Sequence, residues 1–207
     1  MNKFTKLLLL ISIFIIGCKK VDHTNKEFSQ VIDKFDMNIF STEGEKVLSI
    51  NSPSSRYKNS SNIINLDKTK IHLFKNNEIE YIINSNKSKL SDNNLLELSG
   101  NVLVKNTAQN ADNLYANSFK WDINNAEYLL IGNVKFENNN IILTSNKAIL
   151  NKASNIIEFF NPVKYKIKDS NYESGYEINS ENAYYNIKTK SVSFKSREEK
   201  VRSKIFF

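Results

Sequence analysis

Leu98-Ser99-Gly100-Asn101-Val102-Leu103-Val104 and Leu130-Ile131-Gly132-Asn133-Val134-Lys135-Phe136 are two versions of one pattern. In the first, Leu98, Gly100, Val102 and Val104 fall on every second residue; in the second, Leu130, Gly132, Val134 and Phe136 do so. A third version runs through Phe159, Val163, Tyr165 and Ile167. Successive side chains of a strand point to opposite faces, so a period of two gives strands with one apolar face.

Working outward, the pattern is a repeat. Gly100-Asn101-Val102, Gly132-Asn133-Val134 and Asn161-Pro162-Val163 are spaced by 32 and 29 residues. A second signature lies in phase between them, a small residue followed at fixed distance by a large apolar one. It reads Ser52…Ser55…Tyr57, Ser85…Ser88…Leu90, Ala116…Phe119…Trp121, Ser145…Ala148…Leu150 and Ser180…Ala183…Tyr185. Each unit holds two strand-like runs separated by turn residues such as Asp92-Asn93-Asn94, Asn124-Asn125 or Asn138-Asn139-Asn140. Two strands alone are marginal, whereas stacked units bury a continuous apolar face. The fold class is therefore all-β.

The ends of the chain read differently. Residues 1–17 have the anatomy of a secretory leader: Lys3 and Lys6, then an apolar run from Leu7 to Ile16, then Gly17. That run is too short to span a bilayer, for which roughly 20 apolar residues are needed. Ile15-Ile16-Gly17-Cys18 resembles a bacterial lipobox, which implies acylation of Cys18 after cleavage; the alternative is an uncleaved short anchor. Cys18 is the only cysteine, so no disulfide can form within the chain and no thiol chemistry is available to the folded part. Residues 18–40 read as the lipidated N-terminus and a tether, and residues 41–207 as the β domain. Within the tether, Phe28, Val31, Ile32 and Phe35 recur at helical spacing and suggest a short helix or an ordered linker. Net charge is +7, of which Lys3 and Lys6 belong to the leader, leaving +5 on the rest. A basic surface can face nucleic acid, anionic lipid or lipopolysaccharide phosphates, and export would rank nucleic acid last of the three, so no nucleic-acid partner is expected.

The run Phe40-Ser41-Thr42-Glu43-Gly44-Glu45-Lys46-Val47-Leu48-Ser49-Ile50-Asn51-Ser52, with the two Gly-Asn-Val segments, is similar to the LptC-type periplasmic proteins of lipopolysaccharide export. The wider LptA/OstA-like group shares the alternation of Gly-x-Val and Ala/Ser-x-x-Ala strands. The resemblance covers roughly residues 40–195. It implies an incomplete, V-shaped β-jelly roll of stacked antiparallel strands with an apolar interior. It also implies a non-enzymatic carrier that takes lipopolysaccharide from an inner-membrane ABC transporter into a periplasmic bridge of similarly folded proteins. One departure is the anchor: many LptC-type proteins use a spanning N-terminal helix, whereas this chain has Cys18. That keeps an LptA role open, although an anchored protein favours LptC, held by its lipid most simply at the inner membrane.

On this reading Leu98, Val102, Val104, Trp121, Leu130, Val134, Phe136, Leu143, Val163, Tyr165 and Phe194 line a cargo groove. Inward alternation looks the same for a groove and for a closed core, so both stay open. Val192, Phe194, Val201, Ile205 and Phe207 form a candidate edge for pairing with an LptA-type partner. The surrounding Lys195, Arg197, Lys200, Arg202 and Lys204, with Glu198 and Glu199, fit equally a solvated frayed end. Catalysis has little support: His23 and His72 lie in no metal-ligand spacing, and Glu78 and Glu80 read as exposed strand positions. No cofactor or metal is expected. The rival from another class is a structural surface lipoprotein that uses the β-repeats only as scaffold and binds no lipid.

Overall fold

A computed structural model describes residues 29–92, 94–107, 112–123, 125, 127–151, 153–167, 176–197 and 200–205. The leader, Cys18, His23, Phe28, Glu198, Glu199 and Phe207 lie outside these residues. Every regular element described is a strand. In chain order they are β1 (Ser29–Phe40), β2 (Lys46–Lys58), β3 (Ile63–Lys75), β4 (Glu78–Ser91), β5 (Leu95–Asn106) and β6 (Asn113–Asp122). Then come β7 (Glu127–Glu137), β8 (Ile141–Asn151), β9 (Ile156–Ile167), β10 (Tyr176–Asn186), β11 (Val192–Lys195) and β12 (Arg202–Ile205). They form one antiparallel sheet in which β1 to β11 are neighbours in sequence order and β12 also pairs with β10. No helix among the described residues is long and apolar enough to cross a membrane.

The sheet is not flat, because most of its strands break register near the middle. On β4 to β8 the shifts fall at Asn84/Lys87, Ser99/Val102, Tyr115/Ser118, Ile131/Val134 and Thr144/Lys147, and on β10 at Ser180/Asn182. On odd strands the bend uses left-handed backbone: Lys34 on β1, Lys68 on β3, Gly100 and Asn101 on β5, and Gly132 and Asn133 on β7. On even strands it uses a small residue, and a serine there donates its hydroxyl to the carbonyl two positions on. The bonds are Ser52 to Ser54 (2.6 Å), Ser85 to Lys87 (3.2 Å), Ser145 to Lys147 (2.9 Å) and Ser180 to Asn182 (2.9 Å). The two repeated signatures are thus the two sides of one bend line, and such bulges re-aim strands locally. Each of β1 to β10 contributes part of its length to limb A, which carries the β1–β2, β3–β4, β5–β6 and β7–β8 turns, and part to limb B, whereas β11 lies on limb B and β12 on limb A. The apolar faces of both limbs meet in one core cluster, giving the V-shaped jelly roll.

Strand β1 corrects the sequence reading. Residues 29–40 are neither helix nor tether but the first strand of the sheet, paired with β2 from Ser29–Lys58 to Phe40–Lys46. The helical spacing has a physical source. Lys34, with φ 59°, resets the alternation, so Ile32 lies opposite buried Ser55 while Phe35, Met37 and Ile39 pack on the core beyond the bend. The inward series therefore steps by three once and by two thereafter, and the step of three imitates a helix. The β domain therefore includes Ser29–Phe40.

A polar clasp joins the limbs at one place. Lys190, in the turn after β10 on limb B, places Nζ 2.6 Å from Oδ2 of Asp112 at the start of β6 on limb A. The Tyr185 hydroxyl lies 3.5 Å from both Asp112 oxygens, and Asn138 Nδ2 is 3.4 Å from Asp112 Oδ1 and from the Tyr185 hydroxyl. The Tyr185 ring is fully buried against Phe136, with centroids 4.4 Å apart. Burial and the Asp112 carboxylate push its phenol well above the usual tyrosine range, so it stays protonated and donates.

Two outcomes test these devices. Gly132 has φ +78° and an added Cβ would lie 2.8 Å from Asn117 Nδ2. Gly132→Ala should therefore lower the unfolding free energy by about 1–3 kcal/mol in a denaturant titration, whereas Asn133→Gly should change it by less than about 1 kcal/mol. Asp112→Ala should cost about 1–3 kcal/mol, because it deprives a buried hydroxyl of its acceptor. The same change in a Tyr185→Phe background should cost clearly less; equal costs in the two backgrounds would mean that the clasp does not act through Tyr185.

Candidate lipid-binding interior

The interior is built from the inward residues of both limbs. Leu98, Val102, Val104, Trp121, Leu130, Val134, Phe136, Leu143 and Val163, all expected to face inward, are buried members of the single core cluster. Tyr165 and Phe194 are half-buried against it, in edge-to-face contact with centroids 5.3 Å apart. All eleven therefore face the interior as expected, eight of them on alternation. Alternation does not distinguish wall from filler: along the middle of the sheet the two limbs close on each other.

The interior opens where limb A of β3 and β4 approaches limb B of β7, β8 and β10. A cavity of about 440 Å³ lies there. Limb A contributes Leu73, Tyr81, Ile83, Val104 and Leu114, and limb B contributes Phe119, Tyr128, Leu130, Leu150 and Ile187. Lys75, Glu80, Asn155 and Lys188 stand at its polar edge, with Lys75 Nζ 3.5 Å from Glu80. Of the eleven expected groove residues only Val104 and Leu130 line this space. Leu73, Tyr81, Leu114, Tyr128 and Ile187 carried no sequence signal, because β3 and β4 meet β7, β8 and β10 only through the bend and twist of the whole sheet. Leu150 was marked, but only as the apolar position of its repeat.

Two phenols punctuate the apolar lining. Burial, then the neighbouring Tyr81 and Glu80, push Tyr128 up to about 12. Burial, with Glu80 and Asp112, raises Tyr81 as well. Both are neutral at any ordinary pH, so the cavity presents hydroxyls and hydrocarbon rather than charge. Tyr128 also packs on Trp121 at 5.2 Å, whose Nε1 is buried with no acceptor among the described residues.

Both ends of the sheet leave interior residues half-covered: Phe35, Met37 and Ile39 at the β1 end, Val192 and Phe194 at the other. Val192 and Phe194, expected at a docking edge, lie on β11; Val201 is exposed, and Ile205 on β12 pairs with Tyr176 on β10. Residues 192–195 and 202–205 are paired strands rather than a frayed end. Glu181 Oε2 accepts from the Arg197 amide at 2.8 Å, tying the residue two beyond β11 to the bend of β10. His72 Nδ1 lies 3.3 Å from the Ser49 hydroxyl on the outer face, and no group of three potential metal ligands occurs among the described residues.

Comparison with known proteins places this architecture. A family model for LptC-related lipopolysaccharide-assembly proteins matches residues 7–127, and one for OstA-like proteins matches residues 109–205. Among solved structures, the crystal structure of LptH from Pseudomonas aeruginosa is similar. It is described as the LptA-homologous periplasmic component of the lipopolysaccharide transport device. Identity is 7%, the match covers 77% of this chain and 94% of that one, and the TM-score is 0.39. No curated protein matches the sequence. With the first family model spanning more than half of its length, the chain belongs to the LptC-related lipopolysaccharide-assembly family, whose members are non-enzymatic components of the periplasmic lipopolysaccharide transport bridge.

Proposed function

We propose that this chain is the membrane-anchored carrier that accepts lipopolysaccharide from an inner-membrane ABC transporter and passes it to an LptA-type bridge protein. The observation that supports this most is the cavity between the limbs, apolar inside and edged by Lys75 and Lys188. Exposed hydrocarbon is disfavoured in water by about 25 cal/mol per Å². A carrier therefore has to shield acyl chains while leaving phosphorylated sugars wet, and an apolar slot with a cationic edge suits both parts of the cargo. No bond is made or broken.

The remaining roles follow the same reading. Residues 1–17 serve as a leader, and acylation of Cys18 holds the protein at the periplasmic side of the inner membrane, since each buried methylene contributes about 0.8 kcal/mol. The outer edges of β1 at one end and of β11 at the other pair with no further strand among the described residues, and a partner's strand added there would carry the apolar interior from one protein into the next. The eleven inward residues from Leu98 to Phe194 then act mainly as the packed wall, and the cavity-lining residues touch the cargo.

Photo-crosslinking in cells separates this from a lipid-free scaffold. A light-activated residue at Tyr81 or Ile187 should give a lipopolysaccharide adduct, whereas one at Lys135 on the outer face should give none. Val134, buried in the closed part of the interior, should label weakly or not at all. An absence of adduct at both cavity positions, in folded protein, would favour the structural lipoprotein.

A further inference from the structure

The outer face of limb B holds a second concavity, of about 510 Å³, that the carrier role leaves unused. Five cations line it, Arg56, Lys58, Lys87, Lys89 and Lys120, against two carboxylates, Asp67 and Glu97. Register explains the gathering. Arg56, Asn65, Lys89, Glu97 and Lys120 form one unbroken cross-strand row from β2 to β6, with Ser54, Asp67, Lys87, Ser99 and Ser118 as the adjacent outward row. Glu97 is committed to Lys120 at 2.6 Å, while Arg56, Lys87 and Lys89 make no ion pair among the described residues. The surplus is positive and open to solvent.

The course of the chain says what this face meets. Ser29 pairs with Lys58 and Val31 with Arg56, so the N-terminal segment joins the sheet on limb B, beside the basic concavity. Eleven residue steps separate Cys18 from Ser29, a reach of at most roughly 40 Å even when fully extended. Lys19 and Lys20 follow the cysteine directly. An anchor at Cys18 thus holds this face close to a bilayer, at high effective concentration. We infer that the outer face of β2–β6 lies against the anionic phospholipid headgroups of the membrane that holds the N-terminus, and that this contact orients the anchored domain. The inference rests on the acylated Cys18 of the reading above. Basic clusters beside a lipid anchor add to membrane affinity in this way and weaken with salt.

The sole tryptophan, Trp121, lies next to Lys120 on β6 and reports the approach without labelling the protein. Full-length protein is reconstituted into vesicles with dansylated headgroups, either phosphatidylcholine alone or with phosphatidylglycerol, and the mass of the Cys18 segment is read from the same preparation. Energy transfer from Trp121 should rise on phosphatidylglycerol only and fall back in high salt. Arg56→Glu with Lys87→Glu and Lys89→Glu should abolish that rise, an effect equivalent to at least about a tenfold loss of headgroup affinity. The matching glutamine set, gentler on the fold, should reduce it partway. Equal transfer on both vesicles would overturn the proposal and leave the face to a protein partner, and a rise that survives the glutamate set would overturn the assigned surface. An unmodified Cys18 with the phosphatidylglycerol-specific rise intact would sink the anchor and leave the headgroup contact standing.

Discussion

A β-strand cannot turn a corner without breaking its own alternation, and this molecule makes the same break in strand after strand. β1, β3, β5 and β7 take a left-handed residue at the corner; the even strands β2 to β10 place a small residue there. At Gly132 both demands meet, since its φ is +78° and the Asn117 side chain lies where a Cβ would project. Because the corners align across the sheet, they add up to a crease, and the crease divides a simple meander into two limbs with their apolar faces toward each other. The core, the cavity and the clasp exist only because the sheet folds along that line.

Along the crease the limbs are held apart by different amounts. In the middle, Leu98, Leu143 and Phe159 are almost wholly buried and fill the space. Near the clasp the Asp112 carboxylate ties Tyr185, Asn138 and Lys190 together, and the Lys190 pair is half-exposed, so it contributes little in itself. The buried phenol gives the cluster its weight. Beside it the hairpin of β3 and β4 stands off from β8 and β10, which leaves the cavity. Tyr81 and Tyr128, neutral phenols facing that space, let it accept hydrocarbon without stranding a charge.

The sequence made the sheet legible because alternation and spacing are local. Gly100-Asn101 and Gly132-Asn133 marked the corners of β5 and β7, and Ser85 and Ser145 those of β4 and β8, before any reason for the spacing was apparent. The inward face of Leu98, Val102, Val104, Leu130, Val134, Phe136, Val163 and Tyr165 followed from parity alone. Two things were not legible. β1 imitated a helix because one left-handed lysine, Lys34, inserted a step of three. The cavity was invisible because Leu73 and Ile187, more than a hundred residues apart, become neighbours only when the crease and the twist act together. Parity predicts a side chain's direction; it does not predict whether anything fills the space it points into.

The last strand has a consequence of its own. β10 is flanked by two four-residue strands, β11 and β12, separated by the stretch 196–201, whereas at the opposite end β2 is flanked by the single twelve-residue β1. Among the described residues, a strand laid along β1 meets one twelve-residue strand; one laid along the other edge meets two four-residue strands. The two ends differ in backbone before any side chain is considered. Any file of such domains joined edge to edge therefore has a front and a back, set by main-chain geometry alone.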